Sequence, residues 1–123
     1  MQKMITRVGL VSLVMVFAAF SLLAFFPTPA DANPPKQVLA VYDSTTKTLT
    51  VTITHPSAFA SHYIKKVEIK KNETVVTTQE YTSQPSATFT YSYPVEAADG
   101  DILEVKAMCS WFGSKSVKVT VGQ

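Results

Sequence analysis

The sequence predicts an all-β fold, and three observations support this prediction. Seven short segments after residue 32 have strand-like patterns, turn-forming residues separate them, and no helical periodicity occurs between them. The clearest segment, Thr48 to Thr54, alternates three aliphatic residues with four threonines, which is typical of a strand with one buried face. About seven such strands in residues 33–123 favour an immunoglobulin-like antiparallel β-sandwich.

The first 32 residues are predicted to be a signal peptide rather than part of the fold. Lys3 and Arg7 precede an uninterrupted run of apolar and small residues from Leu10 to Phe26, and Ala30-Asp31-Ala32 then gives an A-x-A pattern. This order of features is typical of a secretory signal that is cleaved before Asn33. An uncleaved membrane anchor is the alternative, since roughly 17 apolar residues is the lower limit for spanning a bilayer. We therefore expect a periplasmic or secreted protein whose single domain, residues 33–123, has no membrane contact after cleavage.

The first half of this domain contains four predicted strands. Pro34 and Pro35 favour an extended lead-in, because proline fixes φ and disfavours helix at the preceding residue. Polar residues 43–47 predict a turn between the first two strands, and a loop with two histidines separates the second from the third. Lys71-Asn72-Glu73 predicts a hairpin connection. The four strands are predicted at Gln37–Tyr42, Thr48–Thr54, Tyr63–Lys71 and Thr74–Tyr81.

Three more strands are predicted in the second half. Residues 82–86 interrupt the pattern with Pro85, and the next segment is rich in aromatic and β-branched side chains. Residues 96–100 predict a turn, after which apolar and polar residues alternate again up to the only cysteine. The last segment contains three valines at alternate positions. These strands are predicted at Ala87–Val95, Asp101–Cys109 and Ser114–Val121.

The charge of the predicted domain is close to neutral. Residues 33–123 contain nine lysines, no arginine and eight acidic residues. A net charge of this size provides no basic surface for nucleic acid, so we expect no nucleic-acid partner. Lys65, Lys66, Lys70 and Lys71 cluster in the third strand, but acidic residues interleave with them, and a solvated strand face is predicted there.

Three residues are candidates for metal binding: His55, His62 and Cys109. Both histidines lie between the second and third strands, and the cysteine precedes the connection of the last two strands. In a sandwich these two loops often emerge at the same end. Two imidazoles and a thiolate suit iron, copper or zinc, whereas calcium and magnesium prefer oxygen ligands. The alternatives are that the histidines are ordinary solvated loop residues and that Cys109 is packed in the core.

The rest of the sequence gives little support to other chemistry. With two histidines in one loop and a single cysteine, no Ser/His/Asp arrangement, paired-carboxylate site, phosphate-binding glycine loop or C-x-x-C motif has recognisable spacing. A copper protein of cupredoxin type is also weakly supported, because a histidine and a methionine usually follow the cysteine shortly in that class and none follows Cys109.

The pattern of these residues resembles the iron-binding domain of superoxide reductases, the desulfoferrodoxin and neelaredoxin family. The resemblance covers residues 36–121 and rests on His55-Pro56, on His62-Tyr63-Ile64 with the strand after it, and on Cys109-x-x-x-Gly113 before the last strand. It implies a non-haem ferrous centre in an immunoglobulin-like domain, with four equatorial histidines and an axial cysteine. By this resemblance His55 and His62 would be equatorial ligands and Cys109 the axial thiolate.

The sequence departs from the family pattern at two ligand positions. Phe112 stands where the family has a histidine, and the early segment with another histidine and a lysine is replaced by residues 34–38, of which Lys36 is at most a remnant. The interval from His55 to His62 is also one residue longer than usual. A phenyl ring cannot coordinate a metal, and we expect Phe112 to fill the vacated space together with Trp111.

Two functions therefore remain as predictions. The first is an exported superoxide-reductase-like iron protein that reduces superoxide to peroxide with electrons from an external donor, because the chain contains no second redox centre. The second is a non-catalytic immunoglobulin-like binding or structural module with a vestigial metal site.

Overall fold

The computed structural model describes residues 33–123, and the predicted signal peptide lies outside the described residues. This part of the chain forms seven strands and no helix, and so contains no helix that could cross a membrane. The prediction of seven strands is confirmed, and every predicted strand end lies within one residue of the observed one. The strands are β1 (Gln37–Asp43), β2 (Thr48–Thr54), β3 (Ile64–Lys71), β4 (Thr74–Glu80), β5 (Thr88–Pro94), β6 (Ile102–Cys109) and β7 (Ser114–Thr120).

The strands form two antiparallel sheets, which confirms the predicted β-sandwich. The first sheet has the order β1-β2-β5 and the second has the order β4-β3-β6-β7. In constant-type immunoglobulin domains the fourth strand belongs to the first sheet instead. Here Asn72 and Glu73 form a two-residue turn with φ values of 49° and 72°, and such a turn holds β4 directly beside β3.

The core lies between the sheets and follows the alternation of the sequence. The side chains of Leu49, Val51 and Ile53 on β2 are fully buried, whereas the threonines between them lie on the outer face. Each large aliphatic side chain that is buried in this way stabilises the fold by roughly 1.5–3 kcal/mol. The other buried hydrophobic residues are Val38, Ile64, Val67, Ile69, Phe89, Tyr93, Val95, Leu103, Val105, Ala107, Cys109 and Val121.

The connections between strands gather at two ends of the sandwich. We call one the histidine end, formed by residues 55–63, 81–87 and 110–113, and the other the opposite end, formed by residues 44–47, 72–73 and 95–101. The lead-in to β1 also lies at the histidine end, because the Lys36 N–H donates to the Thr54 carbonyl at 2.8 Å. This end therefore combines three loops and the start of the described chain.

Candidate metal centre

The structure brings the three candidate side chains together at the histidine end. His55 directly follows β2, His62 lies two residues before β3, and Cys109 is the last residue of β6. Their potential ligand atoms all lie within 4.8 Å of one another. In a tetrahedral centre with ordinary bond lengths such atoms would be roughly 3.3–3.6 Å apart. Side-chain movements of about 1 Å would therefore place them around one ion.

Ser110 fixes the position of the histidine loop relative to the cysteine. Its N–H donates to the Tyr63 carbonyl at 2.8 Å, and its Oγ accepts the Tyr63 N–H at 3.0 Å. The same Oγ donates to the Ser61 carbonyl at 2.7 Å. One serine next to Cys109 thus binds the loop on both sides of His62.

The turn after Cys109 is closed by a backbone hydrogen bond from the Cys109 N–H to the Gly113 carbonyl at 2.9 Å. Phe112 and Gly113 both have left-handed backbone conformations, with φ values of 91° and 95°. A side chain at Gly113 would come within 2.6 Å of the Pro34 nitrogen, so only glycine fits between the turn and the lead-in. The backbone N–H of Trp111 points at the Cys109 Sγ at 3.3 Å.

Gln84 determines which nitrogen of His55 carries the proton. The Gln84 amide nitrogen donates to the carbonyls of His55 and Ser86 at 2.7 and 3.0 Å, so its Oε1 must be an acceptor. That oxygen accepts the Ile64 N–H at 3.1 Å and lies 2.8 Å from the His55 Nδ1. The Nδ1 is therefore protonated, and the Nε2 has a free lone pair, as a metal-ligating histidine requires.

Both histidines have a buried Nε2 without a hydrogen-bond partner. No other buried side-chain nitrogen or oxygen lacks a partner in residues 33–123. A buried polar atom that stays unpaired costs about 1–3 kcal/mol, and folded proteins rarely leave two of them side by side. Coordination of one ion would satisfy both atoms at once.

Aromatic contacts hold the ring of His62. The imidazole stacks on Trp111, with ring centroids 4.5 Å apart and planes 11° apart, and meets the His55 ring at right angles at the same centroid distance. Desolvation, and to a lesser extent the neighbouring His55, lower the pKa of His62 below its ordinary value. The lowered pKa favours the neutral imidazole of His62, which is the form that binds metals.

The expectation that Phe112 and Trp111 together fill space at the centre is wrong for Phe112. Phe112 lies at the tip of the turn with 82% of its surface exposed, because the turn directs its side chain away from the sheets. Trp111 does pack against the cluster through His62. Phe112 therefore lies outside the packing around the cluster.

Sequence reasoning missed Gln84, which lies far from the histidines along the chain. Residues 82–86 carry only a loop-forming pattern, and nothing in it indicates a contact with His55. A shallow pocket of about 350 Å³ adjoins Gln84 and His62 between the β2–β3 and β4–β5 loops. This pocket gives small molecules access to the edge of the cluster.

Comparisons with known proteins add no family assignment. No protein-family model matches the chain, and no curated protein matches it. The resemblance to superoxide reductases therefore rests on the residues quoted above.

Proposed function

We propose that this protein binds a transition-metal ion through His55, His62 and Cys109, and that it is an exported, superoxide-reductase-like non-haem iron protein. One observation carries the metal-binding part of the proposal. Two buried imidazole Nε2 atoms lack partners, and the potential ligand atoms of these two histidines and of the only cysteine all lie within 4.8 Å of one another.

The donor atoms fit a borderline or soft metal ion. Two neutral imidazoles and a thiolate suit iron, copper and zinc, and iron is the metal that the family resemblance implies. A ferrous ion held there would supply a one-electron reductant with coordination positions left free for a small oxygen species. Superoxide reduction with an external electron donor is the activity that follows from this resemblance.

Residues of the chain itself would prepare the centre for the metal. Gln84 keeps the proton of His55 on Nδ1, and the backbone N–H of Trp111 would donate to the Cys109 Sγ when that sulfur ligates the metal. The core behind Cys109 excludes water from the sulfur, since only 2% of the surface of this residue is exposed. The pocket beside His62 leaves the other side accessible.

The first experiment is metal analysis with an optical spectrum on the protein purified without added metal and without oxygen. We expect near-stoichiometric iron, and a thiolate charge-transfer band after oxidation that Cys109→Ser abolishes. Ala107→Ser is the matched control, because it also places a hydroxyl on the buried face of β6 but removes no ligand. A folded protein that binds no added ferrous iron, zinc or copper would overturn the metal-binding proposal.

Superoxide turnover needs a separate test on the iron-loaded protein. We expect superoxide-dependent oxidation of the ferrous form, monitored by the charge-transfer band, and its loss in Cys109→Ser. Iron binding without this oxidation would refute the catalytic part of the proposal and leave the metal-binding part intact.

A second candidate is a non-catalytic β-sandwich module with a vestigial site. It is favoured by the position of Cys109 on the same buried face as Val105 and Ala107, where a cysteine can serve as core packing. This reading predicts that chelators leave the thermal unfolding midpoint unchanged. A fall of the midpoint on chelation, reversed by metal, would exclude it.

A further inference from the structure

Three aromatic side chains protrude from the histidine end. Phe59 is 61% exposed, Trp111 is 36% exposed and Phe112 is 82% exposed, and the first two stack with ring centroids 5.5 Å apart. They include every exposed phenylalanine and tryptophan in residues 33–123. We call them the aromatic tip. Large apolar side chains that are grouped on a surface in this way mark a contact with something outside the domain.

The backbone at Phe112 supports this interpretation. Its φ of 91° is strained for a bulky residue, and glycine or asparagine would adopt it more easily. The exposed ring gains no packing within the domain that would offset the strain. A strained and exposed phenylalanine therefore points to a function outside the fold.

Charge is distributed unevenly between the two ends. Six of the eight acidic residues lie in the connections of the opposite end or within three residues of them, Glu80 lies at the histidine end, and Glu68 lies in the middle of β3. Exposed lysines lie near the aromatic tip: Lys65 lines a shallow pocket with Phe112, and the Lys115 ammonium donates to the carbonyl of Lys36 in the lead-in at 2.8 Å. The six acidic residues are Asp43, Glu73, Glu96, Asp99, Asp101 and Glu104. The tip therefore carries a positive field of its own, although the domain is nearly neutral.

The described chain also begins at this end. Asn33 and Pro34 lie directly against Gly113, next to Phe112. Six residues separate Asn33 from the apolar run Leu10–Phe26, and six extended residues span at most about 20 Å. The chain that leads to this apolar run therefore enters the domain beside the aromatic tip.

We propose that the aromatic tip docks on an anionic lipid bilayer, with Phe59, Trp111 and Phe112 in the headgroup region and Lys36, Lys65 and Lys115 beside the lipid phosphates. Aromatic side chains with flanking lysines are the chemistry of membrane interfaces. The tip protrudes from two loops rather than forming a groove, and the chain N-terminal to it leads to an apolar run, so lipid fits better than an acidic protein. The proposed docking differs from the expectation that residues 33–123 have no membrane contact after cleavage. It does not depend on the proposed metal.

The chain supplies its own probe, because Trp111 is the only tryptophan. The measurement is the tryptophan emission of the isolated, metal-free protein in two mixtures. One contains vesicles of pure phosphatidylcholine, and the other contains vesicles that include phosphatidylglycerol. The proposal predicts a blue shift and quenching by lipids with brominated acyl chains in the anionic vesicles, and a weaker effect at high salt. The protein used is residues 33–123, so that the apolar run cannot tether it to the vesicles, and quenching reports the depth of the tip itself.

Two pairs of variants test the residues. Phe112→Asn should lower vesicle binding about tenfold, since it removes one interfacial aromatic ring, and it suits the left-handed backbone, so the fold is retained. Ile102→Asn, at an exposed position of the opposite end, should leave vesicle binding unchanged.

The double variant of Lys65→Gln and Lys115→Gln should weaken vesicle binding by about fivefold per lysine. The double variant of Lys70→Gln and Lys118→Gln should leave vesicle binding unchanged.

Two results would overturn the proposal. One is the absence of a Trp111 shift and of brominated-lipid quenching with anionic vesicles. The other is a shift on addition of poly-glutamate without one on addition of vesicles, which would assign the tip to an acidic protein partner.

Discussion

The two ends of the sandwich differ in whether their polar side-chain atoms have hydrogen-bond partners. At the opposite end Asn72 donates to Asp101 Oδ1 and accepts the Ile102 N–H, both at 2.9 Å, and Asp101 Oδ2 accepts the Ala98 N–H. Asp43 accepts the backbone N–H groups of the turn that follows it. At the histidine end, two buried imidazole nitrogens stay without partners.

This difference separates residues whose polar groups are paired within the fold from residues whose polar groups are free to bind a ligand. Each end consists of three connections between strands of the same two sheets, so the scaffold alone does not require unpaired atoms at either end. An unpaired buried nitrogen lowers stability by about 1–3 kcal/mol. The histidine end therefore has the properties of a binding site, and the opposite end those of a structural closure.

The largest effect is expected from His62→Phe, which removes a ligand but keeps an aromatic ring against Trp111. Metal affinity should fall by more than about 100-fold, because loss of a ligand exceeds the 10–100-fold effects of outer residues. The metal-free variant should be more stable by about 1 kcal/mol, since an unpaired buried nitrogen disappears. Metal titration and urea unfolding of the metal-free proteins measure these two effects. A metal-free variant that is clearly less stable than the parent would contradict the comparison of the two ends.

Gln84→Leu should affect both binding and stability. The substitution removes the acceptor of the His55 Nδ1 proton and of the Ile64 N–H, so metal affinity should fall about 10–100-fold. The metal-free protein should lose about 2–3 kcal/mol of its free energy of unfolding, because several buried polar groups are left unpaired. Urea unfolding and metal titration measure the two quantities.

Gln79→Leu is the matched control for this prediction, since Gln79 is exposed on β4 and has a single side-chain hydrogen bond, to the neighbouring Glu80 carbonyl. Gln79→Leu should leave both the metal affinity and the free energy of unfolding nearly unchanged. NMR of the imidazole nitrogens should also show His55 protonated on Nδ1 in the parent protein, and the opposite tautomer would refute the role of Gln84.

Asn72→Ala should destabilise the protein without affecting the metal. It removes the two side-chain bonds that join the β3–β4 turn to Asp101 and Ile102, and alanine tolerates a φ of 49° less well than asparagine. We expect a loss of about 1–2 kcal/mol in urea unfolding. Asn72→Gly also removes the two side-chain hydrogen bonds but tolerates the left-handed backbone. The difference in stability between Asn72→Gly and Asn72→Ala therefore measures the backbone strain in the turn. A change in metal affinity would show that the two ends are coupled.

The smallest effect is expected from the pH dependence of Asp101. The Ala98 N–H first, and then the Asn72 side chain, lower the pKa of the Asp101 carboxyl below its ordinary value of 3.8. Its contribution to stability is thus present above pH 3.8 and is lost as the pH falls through the lower, folded-state pKa. Thermal midpoints measured from pH 6 to pH 2 should fall less steeply in Asp101→Asn. Equal slopes would show that Asp101 makes no acid-sensitive contribution.

The strands could be predicted from the sequence because their signal is local. Alternation along β2 and β6 defines which side chains are buried, and polar or proline-containing segments interrupt every strand at nearly the observed position. The candidate trio of His55, His62 and Cys109 was also visible, since two imidazoles and a lone cysteine at strand ends are few enough to consider together. Residue type and alternation carry this information without any knowledge of contacts.

Contacts between segments distant in sequence were decided only by the tertiary structure. The pairing of β2 with β5 and of β3 with β6 joins strands that are not consecutive in the chain, and the bond between Gln84 and His55 joins residues 29 positions apart. The exposure of Phe112 likewise depends on how its turn closes over Gly113. A sequence records which donors and acceptors exist, but their pairing depends on the packing of two sheets, and this packing determined which nitrogen atoms were left free.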